Sequence, residues 1–292
     1  MLSGLLNISA LVFSVASMLS VGFGFTMQEI IAPLRDRGAV GRALIANFVL
    51  VPILAYAIAH LLSLETPLAA GLMLLGMAAG APFLIKLTEA ADHDVGLSAS
   101  LLILLLPITV FYLPAMVPLV VPAVRVDAAA IARPLVWSML LPLGIGLLAR
   151  AWLPQLTQRL RPIMGTLASI ALVTLVVLMF IVNFQEVVRL FGSGAILAAA
   201  ILVAGAFAIG YLLGGPDPGN RGVLGLGTGQ RNIAAAAVVA TQTIKNPDTL
   251  ATVVVGSMVA MAILFPTAWR LQKKRAEANA WDFYDQSLTG RG

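Results

Sequence analysis

Residues 225–232 read Gly225-Leu226-Gly227-Thr228-Gly229-Gln230-Arg231-Asn232, and a run of alanines opens at Ala234. Alternate glycines weaken a helix by about 1 kcal/mol each relative to alanine. A second stretch has the same character: Gly76-Met77-Ala78-Ala79-Gly80-Ala81-Pro82-Phe83-Leu84-Ile85-Lys86. Both lie within apolar segments long enough to cross a bilayer. In hydrocarbon an unpaired backbone group is costly, so irregular backbone survives only inside protein or beside a watery cavity. Gly/Pro-interrupted segments at corresponding places in two halves of a chain point to a transporter binding site.

The rest of the sequence is built for lipid. It has 292 residues, 60% hydrophobic and 11% charged, with a mean hydropathy of +0.98. Soluble domains have about 45–50% apolar and about 25% charged residues. Intervals of spanning length without charge predict an all-α polytopic membrane protein of about nine transmembrane helices. They run roughly 5–28, 40–63, 67–90, 95–121, 130–151, 162–185, 192–214, 221–243 and 248–270. Residues 1–292 form one integral membrane unit. No segment could hold a soluble domain.

Charge sets the orientation. Arg35, Arg37 and Arg42 fall in the first loop, Arg150, Arg159 and Arg161 in the fifth, and Arg270, Lys273, Lys274 and Arg275 open the tail. Loops rich in Lys and Arg face the cytoplasm. This places the N-terminus outside and the C-terminus inside; the expected location is a bacterial cytoplasmic membrane. The tail, 271–292, carries Trp281, Phe283 and Tyr284 among charges and reads as mobile or interfacial. The first positive residue is Arg35, so the apolar run from Leu2 to Met27 reads as a retained span rather than a cleaved signal.

Several classes of function are excluded. The pI is near 10 and the net charge +5, but the basic residues form no stripe with interleaved aromatics, so no nucleic acid is implied. The absence of cysteine removes thiolate and disulfide chemistry. No HExxH occurs, Phe191-Gly192-Ser193-Gly194 lacks the leading glycine of an intramembrane protease motif, and no strand precedes the glycines at 225, 227 and 229. Asp92-His93-Asp94 reads as a turn, not a metal cluster. The chain is not an enzyme and needs no cofactor.

Two positive charges remain inside spans, and both follow a break. A charge at a helix centre costs about 2.5–3.5 kcal/mol on insertion scales and faces the bundle interior. Lys86 is three residues from Glu89 and shares its helix face. It is either a neutralising ion pair or a fixed charge at a site. Arg231 has no acidic sequence neighbour: freed carbonyls at the break satisfy it, or it binds an anion. Asn47, Asn183, Gln185, Thr241 and Gln242 read as interhelical hydrogen bonders, and His60 and His93 as solvated interfacial residues.

The order of motifs resembles the sodium/bile acid cotransporter family, within the larger group that includes arsenite exporters and auxin carriers. The likeness rests on Gly22-Phe23-Gly24-Phe25-Thr26, Asn47-Phe48-Val49-Leu50-Val51-Pro52 and Gly71-Leu72-Met73-Leu74-Leu75-Gly76. It continues through Asp94-Val95-Gly96-Leu97-Ser98 and Gly229-Gln230-Arg231-Asn232. It covers nearly the whole chain. The resemblance implies a core of two inverted three-helix repeats (40–121 and 192–270) with two crossed broken helices. A panel domain (5–28 and 130–185) would pack beside it. Substrate would sit between the two, and one domain would move against the other.

The departures from the family pattern are specific. Its sodium sites use small polar residues after the first break, where this chain has Leu84 and Ile85. They also use a glutamate four residues before the glutamine of the second break, where this chain has Leu226. Gln230 is kept, and Asn47 is a shorter stand-in for a second glutamine; these two are the weak sodium candidates. The expected substrate-binding or crossover residues are Asn47, Gly80, Pro82, Lys86, Glu89, Gly229, Gln230, Arg231 and Asn232. The reading is a secondary transporter of a small organic anion, with sodium coupling altered or absent and Lys86 and Arg231 standing in for the ions. The alternatives are an efflux carrier of the arsenite or auxin type, or a ligand-binding membrane receptor.

Overall fold

Charge-free runs of Leu, Val, Ile and Ala form helices because lipid offers their backbone groups no other partner. The computed structural model describes residues 2–120 and 127–289, and among these residues there is no strand. Apart from two short helices in connections, Met27–Ile31 and Phe184–Leu190, the helices in chain order are α1 (Leu2–Gly24), α2 (Arg37–Leu61), α3 (Thr66–Met77), α4 (Phe83–Ala90) and α5 (Val95–Val120). They continue as α6 (Ala128–Trp152), α7 (Pro154–Val182), α8 (Ala195–Leu213), α9 (Pro218–Gly229), α10 (Ile233–Val238) and α11 (Pro247–Thr289). Seven of these are continuous, long and apolar enough to cross a membrane. The other four pair into two interrupted segments, α3 with α4 and α9 with α10. This is an all-α polytopic membrane protein.

Three expectations fall partly outside the described residues: the end of the fourth span at 121, the last three residues of the tail, and the side chains of Gln242, Trp281, Phe283 and Tyr284. The described part of the tail is a helical extension of α11, which runs unbroken to Thr289. No glycine or proline interrupts it after Pro266, and Gln, Lys, Arg, Glu and Ala are good helix formers.

Packing forms two neighbourhoods. α1 lies against α6 and α7. Its crossing with α6 is a glycine pair: a Cβ on Gly22 would stand 2.7 Å from the Gly146 Cα. In the other, α8 packs on α9, α2 and α11, and α11 packs on α3. Ile170, Val173 and Val177 on α7 are mostly exposed, as suits a lipid-facing surface.

α2 and α6 each carry a π-helical turn, Ala46–Leu50 and Val136–Leu140. Each stands just before a proline, Pro52 or Pro142. Proline has no N–H, so it frees the carbonyl four residues back. Both freed carbonyls are used: Tyr112 donates to Phe48 O at 2.6 Å, and Ser14 donates to Ser138 O at 2.9 Å. Hydroxyls from other helices thus replace the lost ladder bonds.

His93, in the turn between α4 and α5, differs from the solvated interfacial residue expected of it. It is half-buried, its Nε2 is enclosed without a partner beside Gly222, and its Nδ1 lies 3.5 Å from Arg275 on α11. Arg275 also donates to Asp92 O. Lys274, Asp94 and Asp217 border the same cavity. Burial, then Arg275, lowers the His93 pKa from its ordinary 6.5, against the opposing pull of Asp92 and Asp217. The folded protein therefore binds fewer protons than the unfolded chain just below pH 6.5. Stability is fully present above that value and falls as pH drops through the window beneath it. His93→Gln should flatten this part of the profile, read as thermal unfolding in detergent between about pH 7 and about pH 5. Parallel profiles for the variant and wild type would refute the assignment.

Candidate functional site

The first break, Ala78–Pro82, separates α3 from α4, and the second, Gln230–Asn232, separates α9 from α10. Gly80 adopts φ +77°, and a Cβ there would come 3.2 Å from Leu105. Only glycine fits that turn without strain. The breaks touch directly. Asn232 donates its backbone N–H to Ala78 O at 2.8 Å and its side-chain amide to Gly80 O at 2.6 Å. Its Oδ1 accepts from Ala235 N at 3.1 Å, capping α10. Thr109 on α5 donates to Ala79 O at 3.0 Å. The freed backbone of one break is satisfied largely by the other.

Arg231 lies at this junction and is 3% exposed. Its Nε donates to Leu75 O at 3.0 Å, and Nη2 donates to Gly76 O at 2.7 Å and Asn47 O at 3.4 Å. Nη1 donates to Asn47 Oδ1 at 2.8 Å and Thr228 O at 3.1 Å. A guanidinium has five N–H groups, and each has an acceptor here. Leu75 and Gly76 lie in the last turn of α3, and Thr228 in the last turn of α9, where helix carbonyls have no intrahelical donor. Each helix C-terminus carries about −0.5 elementary charge, so two of them balance one guanidinium. Asn47 completes the cage from the π turn of α2, while its Nδ2 donates to Ala43 O at 3.0 Å and Thr228 Oγ1 at 3.2 Å.

A cavity of about 350 Å³ opens beside the breaks. Ala81 and Pro82 of the first break with Phe83 just after it, and Asn232 of the second with Ile233 and Ala234 just after it, form one wall. α1, α6 and α7 form the facing wall, notably Phe13, Trp137 and Met179. The lining is almost wholly apolar, with Ser14, Ser138 and Asn232 as its polar side chains. The N-terminal ends of α4 and α10 border it; there Leu84 and Ile85 donate to Ala81 O and Pro82 O, and Ile233, Ala235 and Ala236 donate to Arg231 O, Asn232 Oδ1 and Asn232 O.

The nine expected residues divide into groups. Asn47 and Arg231 are bonded to each other, Asn232 and Gly80 are bonded across the breaks, and Pro82 and Asn232 line the cavity. Gln230 is buried and donates to Arg231 O at 3.4 Å, and Gly229 packs against Leu264 and Phe207. Lys86 and Glu89 pair with each other at 2.7 Å, with Glu89 42% exposed. They stand beyond the first break and outside the cavity lining. Two expected interhelical bonders instead donate to carbonyls four residues back along the chain, Asn183 to Met179 O and Thr241 to Ala237 O, and Gln185 is exposed. Sequence reasoning missed Thr228, Tyr112 and the Ser14–Ser138 contact. For the last two, the carbonyl four residues before an interior proline is the usable signal. Among the described residues no cluster of His, Asp and Glu could hold a metal ion.

Comparison with known proteins gives a consistent picture. The model of the Sodium Bile acid symporter family matches residues 11–190. Among curated relatives, "Probable sodium/metabolite cotransporter BASS2, chloroplastic" of Oryza sativa subsp. japonica is 32% identical over 201 residues, covering 67% of this chain and 47% of that protein. The Arabidopsis thaliana proteins "Probable sodium/metabolite cotransporter BASS3, chloroplastic" and "Probable sodium/metabolite cotransporter BASS1, chloroplastic" are 24% and 26% identical over 254 residues. They cover 85% and 83% of this chain, and 58% and 61% of their own lengths. The chain thus spans about half the length of the curated relatives it matches. The family and these relatives are transporters, not enzymes.

Proposed function

We propose that this chain, which belongs to the Sodium Bile acid symporter family, carries a small organic anion across the membrane by alternating access. The observation that carries this reading is the cavity walled by both helix breaks on one side and by α1, α6 and α7 on the other. Its apolar lining suits a carbon body, and the first turns of α4 and α10 favour a carboxylate, since helix N-termini carry partial positive charge. The core (40–121 and 192–270) and the panel (5–28 and 130–185) are the two parts that would move. The Arg-rich loops face the cytoplasm of a bacterial inner membrane in this reading.

Transport proceeds without sodium as a co-substrate. Sodium prefers several oxygen ligands, and Leu84, Ile85 and Leu226 supply no side-chain oxygen where the family's sodium ligands are expected. The test is counterflow of labelled carboxylates, from acetate to a bile acid, in proteoliposomes with equal Na⁺ or K⁺ on both sides. Exchange of at least one carboxylate at similar rates in the two salts is expected. Binding without exchange would refute the carrier, and exchange that stops in K⁺ would refute the sodium-independent part.

A further inference from the structure

We infer that the carbonyl cage around Arg231 is a monovalent-cation site whose cation is covalently attached to the chain. Its acceptors come from three separate segments, and none is ionised: Leu75 O and Gly76 O from α3, Thr228 O from α9, and the Asn47 carbonyl and side-chain amide from α2. An array of neutral oxygens fed by two helix C-termini is a receptor for positive charge. Without a cation it would leave buried carbonyls unpaired, with their dipoles facing one another. Arg231 fills it with a planar fork that reaches every acceptor. With each N–H engaged and the guanidinium outside the cavity lining, Arg231 is a positioning residue: it holds α3, α9 and α2 in register behind the substrate cavity and makes no contact with substrate.

A consequence is a vacancy that can be refilled. Arg231→Ala removes the chain beyond Cβ, and ethylguanidinium restores the missing atoms almost one for one. Thermal unfolding of the purified variant should show a large loss of stability. Millimolar ethylguanidinium should recover much of that loss as a shift of several degrees, with choline at equal ionic strength giving none and wild type not responding. Recovery by Na⁺ or K⁺ also supports a cation site and reports that the cage accepts a spherical ion. No stabilisation by any of these cations beyond choline would overturn the proposal. Should Arg231→Ala fail to fold, Arg231→Lys and Arg231→Met decide it: a cation site requires the lysine variant to be clearly more stable, and equal stability refutes it. A transport readout rests on the carrier reading, whereas the unfolding measurement does not, so either can fail alone. A second readout is counterflow by Arg231→Ala, expected to become dependent on added ethylguanidinium.

Discussion

Asn47→Leu is expected to destabilise the protein severely although it keeps the number and branching of the side-chain heavy atoms. The amide oxygen receives a charge-assisted bond from Arg231 at 2.8 Å, and the amide nitrogen donates to Ala43 O and Thr228 Oγ1. A hydrogen bond to a charged group contributes about 1.5–3 kcal/mol, and a buried group left unpaired costs about 1–3 kcal/mol more. Nη1 would keep Thr228 O alone, and the Thr228 hydroxyl would lose its donor. Against a typical total stability of about 5–15 kcal/mol, this is a large fraction. The measurement is thermal unfolding in detergent beside Asn47→Asp, which keeps an acceptor in place and adds an ionic partner. Leucine should be far less stable than aspartate; if the two unfold together, the cage does not depend on Asn47.

Ala234→Trp should stop transport and leave the fold intact. Ala234 lies in the first turn of α10 and lines the cavity beside Ile233 and Asn232. An indole there projects into open space instead of packed core, so the about 1–3 kcal/mol penalty of overpacking is mostly avoided. It would fill much of a space of about 350 Å³. Counterflow of a transported carboxylate should fall at least about tenfold, equivalent to about 1.4 kcal/mol in barrier or binding, with unfolding little changed. Ile170→Trp, on the exposed face of α7, is the control expected to transport normally. A tryptophan at 234 that transports like wild type would move the substrate path elsewhere.

The two breaks were legible because helix breakers are local: Gly80, Pro82 and the glycines at 225, 227 and 229 disfavour a continuous helix whatever surrounds them. That Arg231 needed an acceptor was equally plain, since no acidic residue lies near it in sequence. What satisfied it was not legible. Leu75 and Gly76 contribute backbone carbonyls, which every residue has, so nothing in their identity marks them as ligands. Thr228 read as one more small residue among glycines, yet both its carbonyl and its hydroxyl are used. Lys86 and Glu89 were correctly spaced to meet, and their pairing removes them from the cavity wall. The sheltering of His93 depended on Arg275 and Gly222, both more than a hundred residues away.

A cation held by five bonds on its own polypeptide cannot be left behind on the far side of the membrane. In an ion-coupled carrier the gradient of a second solute does work each time that solute is released, and a tethered arginine is never released. In the sodium-independent carrier proposed above, an anion moved without any other ion would be the only travelling charge. The membrane voltage then acts on the substrate directly, at about 2.3 kcal/mol per elementary charge for about 100 mV. In a cell with a negative interior, that force on a monoanion points outward. In that proposed carrier the voltage would favour export, or entry only down a concentration gradient steep enough to overcome it.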